Sequence, residues 1–192
     1  MSGQLIALVG MPGCGKSTVG KHLARLLGWV FVDSDTEIER ALGHSIREHF
    51  ERFGESSFRD AEAAQIALLS ALPHTVVATG GGAVLREENR RALRSAGNQV
   101  IYLRAQVDDL ARRLRHDTQR PLLQTADPAE RLRALFKARD PLYREVSDHV
   151  VDTGRSSVVA LANLVAMQLE LGGAQAVGRS GLPADLEKLP PT

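Results

Sequence analysis

Gly10-Met-Pro-Gly-Cys-Gly-Lys-Ser17 fits the pattern G-x-x-x-x-G-K-[ST] and stands between an apolar run, Leu5 to Val9, and a helical pattern from Ser17 to Leu27. In that setting the glycines let backbone N–H groups converge on phosphate oxygens, and the helix N-terminus adds its dipole. Lys16 sets a charge against the β and γ phosphates, and the Ser17 hydroxyl can ligate Mg²⁺. The chemistry implied is binding of a nucleoside triphosphate. Cys14 serves inside the loop as a small filler residue. The guanine-reading string Asn-Lys-x-Asp does not occur, so guanine is disfavoured.

The third apolar run, Thr75 to Ala78, lacks the acidic residue of a Walker B strand, so the carboxylate on the metal side must come from elsewhere. Asp33-Ser-Asp35 supplies it. If the backbone stays extended there, residues i and i+2 project to one side and both carboxylates face one cleft. One could then help hold Mg²⁺ and the other an acceptor hydroxyl. The plainer reading is that Asp35 or Ser34 caps a helix starting near Thr36, and the two roles can coexist.

Gly80-Gly-Gly82 costs backbone entropy that a simple turn would not demand, which points to close approach of a ligand, although glycine runs are also common in flexible turns. Arg59 and Glu62 stand three apart on a helix, near enough for the carboxylate to orient the guanidinium, but a spacing that by itself describes a surface salt bridge, and the same caution applies to Arg139. Arg120 precedes Pro121 in a stretch without periodicity, about 116–128, which is expected to be a loop acting as a lid. Its closure would bring the Arg120 charge to the transferring phosphoryl group. The six histidines are scattered without ligand spacing, and none is assigned to metal.

Five continuous apolar runs position these residues: Leu5 to Val9, Trp29 to Val32, Thr75 to Ala78, Gln99 to Leu103 and His149 to Val151. Runs of that kind, alternating with helical patterns, predict an α/β sandwich around a parallel sheet buried on both faces. The helix over Ser57 to Leu72 is expected to bury Ala61, Ala64, Ala67, Leu68 and Ala71. Glycines and prolines from Gly172 onward predict one domain over 1–171 and a disordered tail over 172–192.

The composition, 43% hydrophobic and 24% charged over 192 residues, is that of one globular domain. A net charge of +1 gives no reason to expect nucleic-acid binding. The charge is nonetheless uneven. Asp33 to Glu62 holds nine acids and four arginines, and Arg104 to Arg144 holds ten Lys or Arg and six acids, an asymmetry that suits an anionic ligand or two solvated helix faces. One cysteine forms no internal disulfide, no apolar run approaches the ~20 residues of a membrane span, and Met1 to Gln4 lacks the basic and apolar regions of a signal peptide. The expectation is a soluble, cytoplasmic protein.

Taken in order, Gly10 to Thr18, Asp33-Ser-Asp-Thr-Glu-Ile-Glu39, Gly54 to Glu62, Gly80-Gly-Gly82, Arg120-Pro-Leu-Leu123 and Arg139-x-x-x-Tyr143 resemble the shikimate kinase family over roughly residues 4 to 170. The resemblance implies a P-loop kinase fold of the nucleoside-monophosphate-kinase type, a three-layer sandwich with a five-stranded parallel sheet of order 2-3-1-4-5. It also implies transfer from ATP, with Mg²⁺, to the 3-hydroxyl of shikimate on the route to aromatic amino acids, by a monomer acting on a small molecule and bound to neither nucleic acid nor membrane.

The roles implied are catalysis by Lys16, Asp35 and Arg120. Gly13, Cys14, Gly15, Lys16, Ser17, Thr18, Arg113, Arg120 and Arg155 would contact ATP, with Arg113 stacking on adenine. Asp35, Arg59, Gly80, Gly81, Gly82 and Arg139 would bind shikimate, the two arginines clamping its carboxylate. Ser17 and Asp33 would serve the metal. The pattern departs at Val146, where alanine is frequent, and in Asp152 to Ser157, which lacks a proline often found there, so only the adenine contacts are affected. The alternatives are a related small-metabolite kinase, such as a gluconate kinase, and a noncatalytic ligand sensor on a kinase-like domain.

Overall fold

A computed structural model describes residues 5–114, 127–154 and 156–179. In chain order the elements are β1 (Leu5–Val9), α1 (Lys16–Leu27), β2 (Val30–Asp33), α2 (Ser34–Leu42), α3 (Ile46–Leu69), β3 (Thr75–Ala78), α4 (Glu87–Leu93), β4 (Gln99–Arg104), α5 (Val107–Leu114), α6 (Pro128–Val146), β5 (His149–Asp152) and α7 (Val158–Arg179). The strands form one parallel sheet in the order β2-β3-β1-β4-β5, flanked by helices. The expected fold class and strand order both hold.

Burial follows position in the sheet. Every residue of β1 and β3 is buried, as are the four inner residues of β4, which is why those runs are continuously apolar. The edge strands β2 and β5 are only partly covered, and Val30 and Val150 are exposed. The register sets Asp33 beside Ala78 and Ala78 beside Leu8. The loop after β1, the end of β2 and the Thr79 to Gly82 turn therefore emerge together from the carboxyl edge of the sheet, where ligands of open parallel sheets bind.

Three local expectations change. Asp127-Pro128, expected to close a loop, opens α6: Asp127 caps the helix by accepting the Glu130 N–H at 2.9 Å, and Pro128 fills the first helical position, where no N–H is needed. The remainder of the expected lid, 116–126 with Arg120, lies outside the described residues, as does Arg155. Helix α7 runs to Arg179, past the Gly172 boundary expected for the domain, and 180–192 lie outside the described residues.

The third change concerns α3. Its buried face carries Phe58, Arg59, Glu62, Ile66 and Leu69, whereas Ala64, Ala67, Leu68 and Ala71 are exposed. A stripe of small alanines has little area to bury, so the larger side chains of the other face take the core and carry a charged pair with them. Among the described residues no helix is long and apolar enough to cross a membrane.

Candidate active site

The loop between β1 and α1 closes on itself around a lysine. Lys16 Nζ donates to the carbonyls of Gly10 at 2.8 Å and Met11 at 3.0 Å, which holds its charge inside the curl of the loop. A cavity of about 300 Å³ opens beside it, lined by Gly13, Gly15, Lys16, Ser17, Thr18, Asp33, Asp35, Thr79 and Gly81. Cys14 does not line it. Its side chain belongs to the core, 1% exposed, and its N–H donates to Met11 O, as suits a filler residue. Arg113, at the end of α5, is exposed and donates to Gly13 O at 3.3 Å, so it stands on the flank of the loop.

Asp33 joins the loop to the second acidic residue. Its Oδ2 accepts the Ser17 hydroxyl at 2.7 Å, and its Oδ1 accepts the Asp35 N–H at 3.1 Å, which makes it the N-cap of α2. The extended backbone expected through Asp35 ends at Asp33, and Asp35 sits in the first turn of α2. Both carboxylates line the cavity because a helix starts there, not because side chains alternate along a strand. The helix dipole favours negative charge at both positions.

The Gly80 to Gly82 turn is the floor on which the remaining groups meet. A Cβ on Gly80 would lie 2.6 Å from Asp35 Oδ1 and 3.2 Å from Glu62 Oε1, and one on Gly82 would lie 2.4 Å from an Arg59 terminal nitrogen. The glycines are required by close approach of site side chains. Arg59 is gripped from two sides, donating at 2.8 Å to both Glu62 and Glu55. Its Nε is buried without a hydrogen-bond partner among the described residues. From α6, Arg139 and Tyr143 both donate to Gly81 O, at 3.0 and 2.5 Å.

The charges here are poorly hydrated. Glu62 is 1% exposed, and burial pushes its carboxyl above the ordinary glutamate value against the pull of Arg59, with repulsion from Asp35 acting the same way. Burial works against the Arg59 charge, but Glu62 and Glu55 outweigh it and hold its pKa above the ordinary value. Burial likewise raises the Tyr143 phenol, which keeps it a donor to Gly81.

A family model described as "Shikimate kinase" matches residues 12–170. The chain belongs to the shikimate kinase family. The shikimate kinase of Cupriavidus pinatubonensis is 56% identical over 165 residues, covering 86% of this chain and 85% of its own, and that of Burkholderia thailandensis is 54% identical over 168 residues, covering 88% and 91%. A solved shikimate kinase from Acinetobacter baumannii, in complex with shikimate, has a TM-score of 0.84 at 44% identity and covers 88% of this chain and 93% of its own. The activity is phosphoryl transfer to an alcohol acceptor.

The kinase thus brings together Lys16, Ser17, Thr18, Asp33, Asp35, Arg59, Arg139 and the glycine turn, with Arg113 at the rim. Glu62 and Tyr143 belong with them: spacing allows Glu62 to orient Arg59 without separating that role from a surface pair, and it assigns Tyr143 none. The signal for Glu62 is its position between Phe58 and Ile66, an acid inside a stripe of large buried side chains four residues apart.

Proposed function

We propose that the cavity transfers the γ-phosphoryl group of ATP to the 3-hydroxyl of shikimate, giving shikimate 3-phosphate and ADP. The observation that carries this reading is the place of Asp35. It lines the cavity of the phosphate loop and also lies against Gly80, which Glu62 approaches too and beside which the arginine-bearing helices converge. A nucleotide site and a site for a small anionic polyol therefore share one carboxylate.

Lys16 and the loop N–H groups hold phosphate oxygens, and Asp35 accepts from the hydroxyl that attacks. Arg59 and Arg139 bind the shikimate carboxylate, which planar guanidinium forks suit. Ser17 Oγ and Asp33 present the hard oxygen donors that Mg²⁺ takes. Because the hydroxyl donates its proton to Asp33, its lone pairs are left to face the cation, which supports Ser17 as direct ligand and Asp33 as the group orienting it. Bound there, Mg²⁺ would neutralise phosphate charge. The enzyme is read as a cytoplasmic monomer, with Arg120 and Arg155 completing the ATP contacts.

ATP consumption with shikimate, compared with gluconate and nucleoside monophosphates, tests this function. Turnover is expected with shikimate alone and is abolished by excess EDTA. Turnover unaffected by EDTA, or faster with another acceptor, would contradict it. Arg139→Lys should raise the KM for shikimate roughly tenfold while leaving kcat nearly unchanged, because an ammonium cannot keep the Gly81 contact and a two-pronged hold on a carboxylate together. Steady-state kinetics with shikimate varied at saturating ATP measures this, and a loss confined to kcat would refute the anchoring role.

A further inference from the structure

Gly54 interrupts α3 with φ 79° and ψ 176°, a conformation essentially confined to glycine. Two contacts measure the resulting bend. His49 Nε2 lies 3.0 Å from Ser57 Oγ, eight residues on, and the rings of Phe50 and Phe58, with the same spacing, are 4.8 Å apart. In a straight α-helix residues eight apart are separated by about 12 Å along the axis. The arm 46–53 therefore folds back at Gly54 onto the helix that follows.

His49 is the one buried residue of that arm, 6% exposed, with its ring stacked on His44 at 5.2 Å and tilted against Phe53 at 4.9 Å. Its Nδ1 has no hydrogen-bond partner among the described residues. The ring is best satisfied when Nε2–H donates to Ser57, since only a lone pair is then left unmet, whereas the other tautomer would strand a buried N–H. Ser57 lies between Glu55 and Arg59, which are joined by their own ion pair. The neighbouring Phe58 ring carries the Arg59 guanidinium at 5.1 Å. Both contacts across the bend thus end on the helical turn that aims Arg59.

We infer that His49 is a positioning residue for the acceptor: by clasping Ser57 across Gly54 it fixes the Glu55 to Arg59 turn, and so the direction of the Arg59 guanidinium, without touching the acceptor. The inference rests on shikimate as the substrate anchored by Arg59. It predicts a loss seen in one binding constant. His49→Ala raises the KM for shikimate roughly five- to tenfold, while kcat and the KM for ATP stay within about twofold of the wild type. His49→Gln restores the shikimate KM to within about threefold, because its amide nitrogen reaches the Nε2 position, and His49→Asn, which reaches only the Nδ1 position, does not. Ser57→Ala reproduces the loss, and the double variant adds nothing to it.

An unchanged shikimate KM in His49→Ala, equal losses in both KM values and kcat, or failure of His49→Gln to rescue would each overturn the inference. If His49→Ala does not fold, Ser57→Ala decides the matter by the same KM measurement. Wild-type turnover of shikimate, measured alongside, separates the two readings. Its absence overturns the proposed function and the clasp with it, whereas turnover with an unmoved KM in the variants overturns the clasp alone.

Discussion

Asp35→Asn should lower kcat by a factor on the order of 10² or more at saturating shikimate and ATP. The substitution keeps the size of the side chain and one acceptor oxygen. It also fits the space beside Gly80 that the Asp35 carboxylate already occupies, because the side chain keeps its shape. The architecture is therefore retained, and what is lost is negative charge beside the attacking hydroxyl. Phosphoryl transfer has a loose transition state in which the nucleophile keeps its proton until late, so part of the loss is orientation and part is proton acceptance. Stability should change little, because an acid in the first turn of α2 contributes only about 0.3–1 kcal/mol through the helix dipole. Single-turnover kinetics and thermal unfolding of the purified variant separate these effects. A variant with near wild-type kcat would leave Asp35 a binding role only.

The sequence made the phosphate half of this site legible because its chemistry is local. Gly10 to Ser17 is one uninterrupted string, and the strand before it and the helix after it lie where the pattern requires. The substrate half depends on contacts between residues far apart in the chain. Tyr143 and Arg139 meet Gly81 from α6, and nothing in the spacing of either residue states that they share one carbonyl. The Arg59–Glu62 pair shows why spacing misleads. A separation of three residues describes exposed and buried pairs equally, and the deciding fact is which face of α3 turns inward. Spacing alone selects the face of Ala61, Ala64 and Ala67, whereas the larger area of Phe58, Ile66 and Leu69 decides the packing. Asp33 and Asp35 line one cavity because capping by Asp33 ends the strand and starts a helix, where alternation would have continued the strand.

Burial of the Arg59–Glu62 pair makes it costly to break. Arg59→Met should cost about 3–5 kcal/mol of folding stability, because it leaves the carboxyl of Glu62 enclosed without its partner. The side chains are 9% and 2% exposed, so water cannot replace the lost guanidinium. The loss should depend on pH in a fixed sense. Burial already holds the Glu62 pKa above its ordinary value in the folded protein, and removing Arg59 takes away the largest opposing influence and raises it further. A carboxyl with a raised folded pKa stabilises the fold most when protonated, below the ordinary glutamate range, and that contribution is lost as pH rises through the folded pKa. The variant should therefore be nearest to wild-type stability in mild acid and fall away more steeply than wild type toward neutral pH. Thermal unfolding across that window measures the effect. Arg59→Met combined with Glu62→Leu should recover most of the stability, since an apolar pair of similar volume fills the same space without a stranded charge, yet it should not recover shikimate binding. If the single variant unfolds like the wild type at every pH, Glu62 is not held by Arg59 in the way the 2.8 Å contact implies.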